Sequence, residues 1–150
     1  MIAALKSFFA DLKVEEKTEV IDIELAVAVL LTEVGQADSE MSVAEQQKIE
    51  YMLMKGFDLN EEEAKTLLLK AQLQQDKSVS MQTFTSVLKD QLNYEQRVRF
   101  VKGMWLVAYA DNQLDPFEDY IIRKIADLLY LKHSDFIQTK LSAESQSKSK

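Results

Sequence analysis

Along most of this chain apolar residues recur at spacings of three and four, the period of a helix buried on one side. Ile2, Leu5, Phe8, Phe9 and Leu12 form the first such stripe. A second helix is predicted from about Lys17 to Gly35, and its centre, Leu25 to Leu31, is apolar on every face. A helix of that kind belongs in the middle of a bundle, and Gly35 is a natural end for it. Ser42 and Glu45 then read as a capping box: the hydroxyl takes a free backbone N–H while the carboxylate reaches back to the cap. That helix turns Ile49, Met52 and Leu53 inward and stops near Gly56. Asn60 caps the next, with Glu61, Glu62 and Glu63 at its positive end. Leu67, Leu68, Ala71 and Leu73 would be its buried side.

After a polar connection, Ser80 starts a short helix carrying Phe84, Val87 and Leu88. Asn93 and Gln96 make a second capping box, opening a long helix to about Ala110. Val98, Phe100, Val101, Met104, Trp105 and Val107 make it nearly as apolar as the Leu25 helix, so Trp105 is expected in the core. Asp115 and Pro116 start another helix, with Asp as cap and Pro in the first turn. Ile121, Ile122, Ile125, Leu128 and Leu129 follow, and a last helix is predicted from about His133 to Leu141. The expectation is an all-α compact bundle of seven to eight helices over residues 1–141, its two apolar helices packed together. Residues 142–150, all Ser, Lys, Glu, Gln and Ala, are expected to be a disordered tail.

Composition sharpens this picture. Three Gly and one Pro among 150 residues are too few for the turns of a sheet protein. The absence of cysteine excludes disulfides, zinc–thiolate sites and thiol nucleophiles. The longest apolar run, Leu25 to Leu31, is far short of the roughly 20 residues of a membrane span. The stretch Met1 to Lys13 lacks the basic start, uninterrupted apolar run and cleavage site of a secretory signal, and a cytoplasmic protein is expected. The N-terminal stripe could lie on a membrane surface or a partner, but it has little basic charge to hold it on lipid, and packing on the core is the expectation. A net charge of −7 repels phosphate backbones and speaks against nucleic acid. Arg97, Arg99 and Lys102 are read as a solvated helix face.

Shifted by 73 positions, two blocks fall into register: Leu25 on Val98, Ala28 on Val101, Leu31 on Met104, Val34 on Val107, Ile49 on Ile122 and Met52 on Ile125. Asp38 coincides with Asp111, and Glu45 with Glu118. With a slip of one residue, Leu59 meets Leu131 and Ala64 meets Phe136. The pattern is that of a duplicated three-helix unit about an approximate twofold axis. In each copy an apolar helix leads through Ala-Asp and a short turn to an aliphatic residue and an acid-bearing helix start.

In Val107-Ala-Tyr-Ala-Asp-Asn-Gln-Leu-Asp-Pro-Phe-Glu118, and again in Val34-Gly-Gln-Ala-Asp-Ser-Glu-Met-Ser-Val-Ala-Glu45, this pattern resembles the tellurite-resistance protein B (TerB-like) family, over about residues 20–141. Where the family usually has Gly after the Asp, this chain has Ser39 and Asn112. The resemblance implies an all-helical bundle linked to stress responses. The chain also resembles the N-terminal domain of a membrane-anchored DnaJ-type co-chaperone, without the J domain.

Asp38, Glu45, Asp111, Asp115 and Glu118 are the candidate functional residues. Carboxylates and amides on short turns suit a hard cation, Ca²⁺, Mg²⁺ or Mn²⁺. An EF-hand starting at Asp111 is excluded, because Pro116 and Ile122 stand where Gly and Glu are needed. The structural alternative is that Glu45 and Glu118 are capping-box acids and that Asp38 and Asp111 brace the turns. The single histidine, His133, cannot make a His-rich metal site. No nucleophile elbow or Gly-rich phosphate loop is present. The reading is a non-enzymatic module, binding a divalent cation at paired acidic turns or, alternatively, acting as a metal-independent protein-interaction or co-chaperone-like adaptor whose partner is another protein.

Overall fold

In the computed structural model five of the seven described helices begin where a side chain answers the backbone N–H groups that a first turn leaves free. The structure describes residues 22–37, 41–75, 81–110 and 114–148. Asp22 Oδ1 accepts from Leu25 N at 2.8 Å and opens α1 (Ile23–Gly35). Ser42 and Glu45 close a reciprocal box on α2 (Val43–Phe57). Asn60 and Glu63 do the same for α3 (Glu61–Gln75), at 2.8 and 3.0 Å. After α4 (Met81–Gln91), Asn93 and Gln96 box the start of α5 (Tyr94–Ala108). Asp115 and Glu118 box α6 (Pro116–Leu128), whose first residue is the proline, and α7 (His133–Lys148) follows. No strand occurs among the described residues.

The two apolar helices lie inside. α1 buries Ala26, Ala28, Val29, Leu30, Leu31, Thr32 and Val34, held between α3, α4 and α2. α5 buries Val101, Met104, Trp105, Val107 and Ala108, and its main neighbour is α7. α1 and α5 also touch one another. Trp105 is fully buried and donates its indole N–H to Thr139 Oγ1 at 3.2 Å, while Thr139 donates to the Phe136 carbonyl at 2.6 Å. A buried indole nitrogen needs such an acceptor.

The same local construction occurs twice. Gln36 N bonds Thr32 O and Ala37 N bonds Val34 O; 73 residues later Tyr109 N bonds Trp105 O and Ala110 N bonds Val107 O. α2 and α6 both end in a left-handed residue, Asp58 and Tyr130, and in the same closing bond, Leu59 N to Met54 O and Leu131 N to Ala126 O. That is the Schellman pattern, here without its usual glycine. The first helix of each set packs on the third, α1 on α3 and α5 on α7.

Several expectations from the sequence are corrected. Helix α7 continues to Lys148, through the stretch expected to be a disordered tail. Ala143 is fully buried there, Tyr109 Oη donates to Glu144 at 3.4 Å, and Ser147 Oγ donates to the Tyr109 carbonyl at 3.4 Å. A polar segment orders when a neighbouring helix supplies contacts along its length. Leu73 is 64% exposed rather than buried; Ala64, Leu68 and Ala71 make the inner face of α3. Gly35 keeps an ordinary helical backbone. It serves a close approach instead, since a Cβ on it would lie 2.9 Å from Met41 Sδ. Arg97 is no solvated cation: its Nη1 donates to the Leu129 carbonyl at 3.0 Å and its guanidinium lies over the Tyr94 ring. The Ile2–Leu12 stripe lies outside the described residues.

Candidate functional site

Two acids among the described residues are buried, Glu45 and Glu118, at 2% and 1% exposure. Both hold a helix start. Glu45 Oε1 accepts from Ser42 N at 2.9 Å while Ser42 Oγ accepts from Glu45 N at 3.1 Å. Glu118 Oε1 accepts from Asp115 N at 3.1 Å, and Asp115 Oδ1 accepts from Phe117 N at 2.7 Å. A carboxylate here answers free donors and faces the positive end of the helix dipole. Burial is tolerable because the charge is hydrogen-bonded. Three of the five candidate residues therefore have a capping role that accounts for their position. Asp38 and Asp111 lie outside the described residues.

Ala44, in the first turn of α2, and Tyr109 and Ala110, just before the second acidic turn, line one groove of about 580 Å³ between α2 and α5. Gln47, Lys48, Tyr51 and Leu106 carry its walls onward, and Gln146 and Ser147 of α7 close one side. Among the described residues no three His, Asp or Glu side chains converge as a metal ion would need. His133 is exposed at the first position of α7.

A second feature escaped the sequence reading. Phe117 and Tyr120, next to the second turn, are 64% and 59% exposed. Tyr120, with Leu114 and Pro116, surrounds a shallow recess of about 510 Å³, rimmed by Asp119 and Arg123. Asp119 binds Arg123 one turn on and Lys140 of α7 at 3.1 Å. Burial opposes the charge on Asp119, but the hydrogen bonds from Arg123 and Lys140 outweigh it and hold the carboxyl below its ordinary value. The available signal was the position of Phe117 and Tyr120 off the Ile122–Ile125 stripe of α6, which makes two apolar faces on one helix.

No described helix is long and apolar enough to cross a membrane. A family model described as Tellurite resistance protein TerB matches residues 24–141. No curated protein and no solved structure matches the chain.

Proposed function

The chain belongs to the TerB family of tellurite resistance proteins, and we propose that it is a non-enzymatic, stress-associated, cytoplasmic binding module that takes a divalent cation between its two acidic turns. The observation that carries this reading is the shared groove. Ala44, in the first turn of α2, and Ala110, immediately before the second acidic turn, border the same recess. In this reading Asp38 and Asp111 supply the carboxylates, and Asp115 and Glu118 fix the second turn through the cap they form with α6. Glu45 does the same for the first turn through α2. Hard oxygen donors suit Ca²⁺, Mg²⁺ or Mn²⁺. The matching caps, helix ends and packing 72 to 73 residues apart support the duplication that relates the two turns.

The test is a melting curve at constant ionic strength. A cation that binds only the folded chain raises stability by mass action, about 2.7 kcal/mol at a hundredfold excess over its dissociation constant. The expected result is a higher melting temperature in millimolar divalent cation, lost in Asp111→Asn with Glu118→Gln. Gln keeps an acceptor for Asp115 N, so the fold should remain. A melting temperature unmoved by all three cations would leave capping and turn bracing as the roles of these acids.

A second reading, a metal-independent protein-interaction module, is favoured by the Phe117–Tyr120 face. Exposed aromatic side chains beside a charged rim are the usual make-up of a contact surface. Partner capture that persists in chelator and disappears in Phe117→Ser with Tyr120→Ser would establish this role instead.

A further inference from the structure

Helix α6 is apolar on two sides. Ile122, Ile125 and Ala126 are buried in the bundle. On the other side Phe117, Tyr120, Arg123 and Lys124 are exposed, at the spacings of three and four that make one face of a helix. This face is asymmetric along its length: the aromatic side chains stand in the first half of the helix and the cations in the second. Phe117 is 64% exposed, so most of a large apolar ring is in water. Beside it lies the recess of about 510 Å³ formed by Leu114, Pro116, Asp119, Tyr120 and Arg123, and Phe117 is not one of its lining side chains.

A knob and a hole therefore sit side by side on one helix. Two copies that meet with their α6 helices antiparallel, crossing between Phe117 and Tyr120, satisfy both at once. Each Phe117 then enters the recess of the other copy, the self-complementary contact that a twofold axis requires. Phe117 of one copy comes against Tyr120 of the other, and Leu114 against Arg123. Aromatic and cationic neighbours both suit the incoming ring.

Charge decides where a second copy can approach. Each chain carries a net charge of −7, so two copies repel over most of their surface. On this face the acid of the recess, Asp119, is already bonded by Arg123 and, at 3.1 Å, by Lys140 of α7, and Lys124 adds a further cation. The face is locally neutral to basic on an acidic molecule. The exposed Leu69 and Leu73 of α3 are less suitable, since they share their helix with Glu61, Glu62 and Glu63.

Building on the second reading above, in which this face is a contact surface, we propose that its occupant is a second copy of the chain. The two copies pair through antiparallel α6 helices, with Phe117 of each seated in the Leu114–Pro116–Tyr120 recess of the other. A few side chains per copy make a small interface, below about 1,200 Å² in total, so the pairing is weak and reversible.

The test is sedimentation equilibrium of the full chain from about 20 µM to about 1 mM, the range in which a weak contact fills. The expected result is an average mass that rises with concentration from one copy toward two and stops there. Phe117→Ser should hold the mass at one copy throughout and, at an exposed position, leave the melting temperature close to that of the parent. Tyr51→Ser, at a residue 55% exposed on α2, should still pair. A mass that stays at one copy, a rise that Phe117→Ser leaves intact, or growth beyond two copies would overturn the twofold pairing. Location is read separately. The chain has no cysteine, so Asp127→Cys, exposed one turn beyond the contact, takes a single nitroxide label. Mixed with isotope-enriched unlabelled protein, it should remove amide signal from residues 114–117 of the unlabelled copy. Loss centred on Tyr51 or Leu69, or no localised loss, would also overturn the pairing. A chain that stays single yet captures another protein through Phe117 and Tyr120 keeps the interaction reading and loses only the second copy as occupant; a chain that does neither loses both.

Discussion

At the scale of single residues, the buried polar groups carry the largest individual consequences. Thr139 links the Trp105 indole to the backbone of α7. Thr139→Val keeps the volume but leaves a buried N–H without its acceptor, at a cost of about 1–3 kcal/mol in chemical denaturation. Thr139→Ser retains the hydroxyl and should lose less. Glu33 is half-buried on α1, and burial pushes its carboxyl above its ordinary value. The folded state then holds the proton more tightly than the unfolded one. Stability falls as pH rises from the unfolded value through the folded one, and the penalty is fully present at neutral pH. Glu33→Gln should therefore raise the melting temperature at neutral pH. The difference from the parent should vanish below about pH 4, where both states of the parent are protonated.

At the scale of elements, helix ends decide more than helix interiors. Asp58 ends α2 with φ 53°, a conformation that costs a side chain little only when it is Gly or Asn. The residue is exposed. Asp58→Gly should stabilise the fold by about 0.5–1 kcal/mol, read from the denaturation midpoint at unchanged slope. The far end of α7 makes the opposite point. Removing residues 142–150 deletes a buried Ala143 and the two bonds to Tyr109. With each bond worth about 0.5–1.5 kcal/mol net, the truncated chain should be less stable by about 2 kcal/mol. A truncation without effect would mean that the last two turns of α7 add nothing to the bundle.

At the scale of the whole molecule, a net charge of −7 acts against compaction. Sodium chloride should raise the melting temperature modestly through screening, so the effect of divalent cation must be read at matched ionic strength. The specific response expected at the acidic turns exceeds the screening response and depends on Asp111. The two responses separate in the Asp111→Asn, Glu118→Gln variant, which should keep the salt effect and lose the specific one.

The sequence by itself determined the helix starts at Ser42, Asn60, Asn93 and Asp115 and the two helices that run through the middle, whereas it set the start of α1 near Lys17 and the structure caps it at Asp22. Those features are local: a cap answers an N–H three residues on, and a stripe of period 3.6 is written in neighbouring residues. Ser42–Glu45, Asn93–Gln96 and Asp115–Glu118 were all legible for this reason. The candidate site was legible only as a set of acids. Nothing local shows that Ala44 and Ala110 border one groove. Nor does composition reveal that Ser147 and Glu144 find Tyr109 38 and 35 residues away. Leu73 and Leu68 are the same residue on the same helix, yet one is exposed and the other buried. Only the tertiary structure decided such matters, because burial and proximity depend on which helix packs across from a residue, and that partner is distant in the chain.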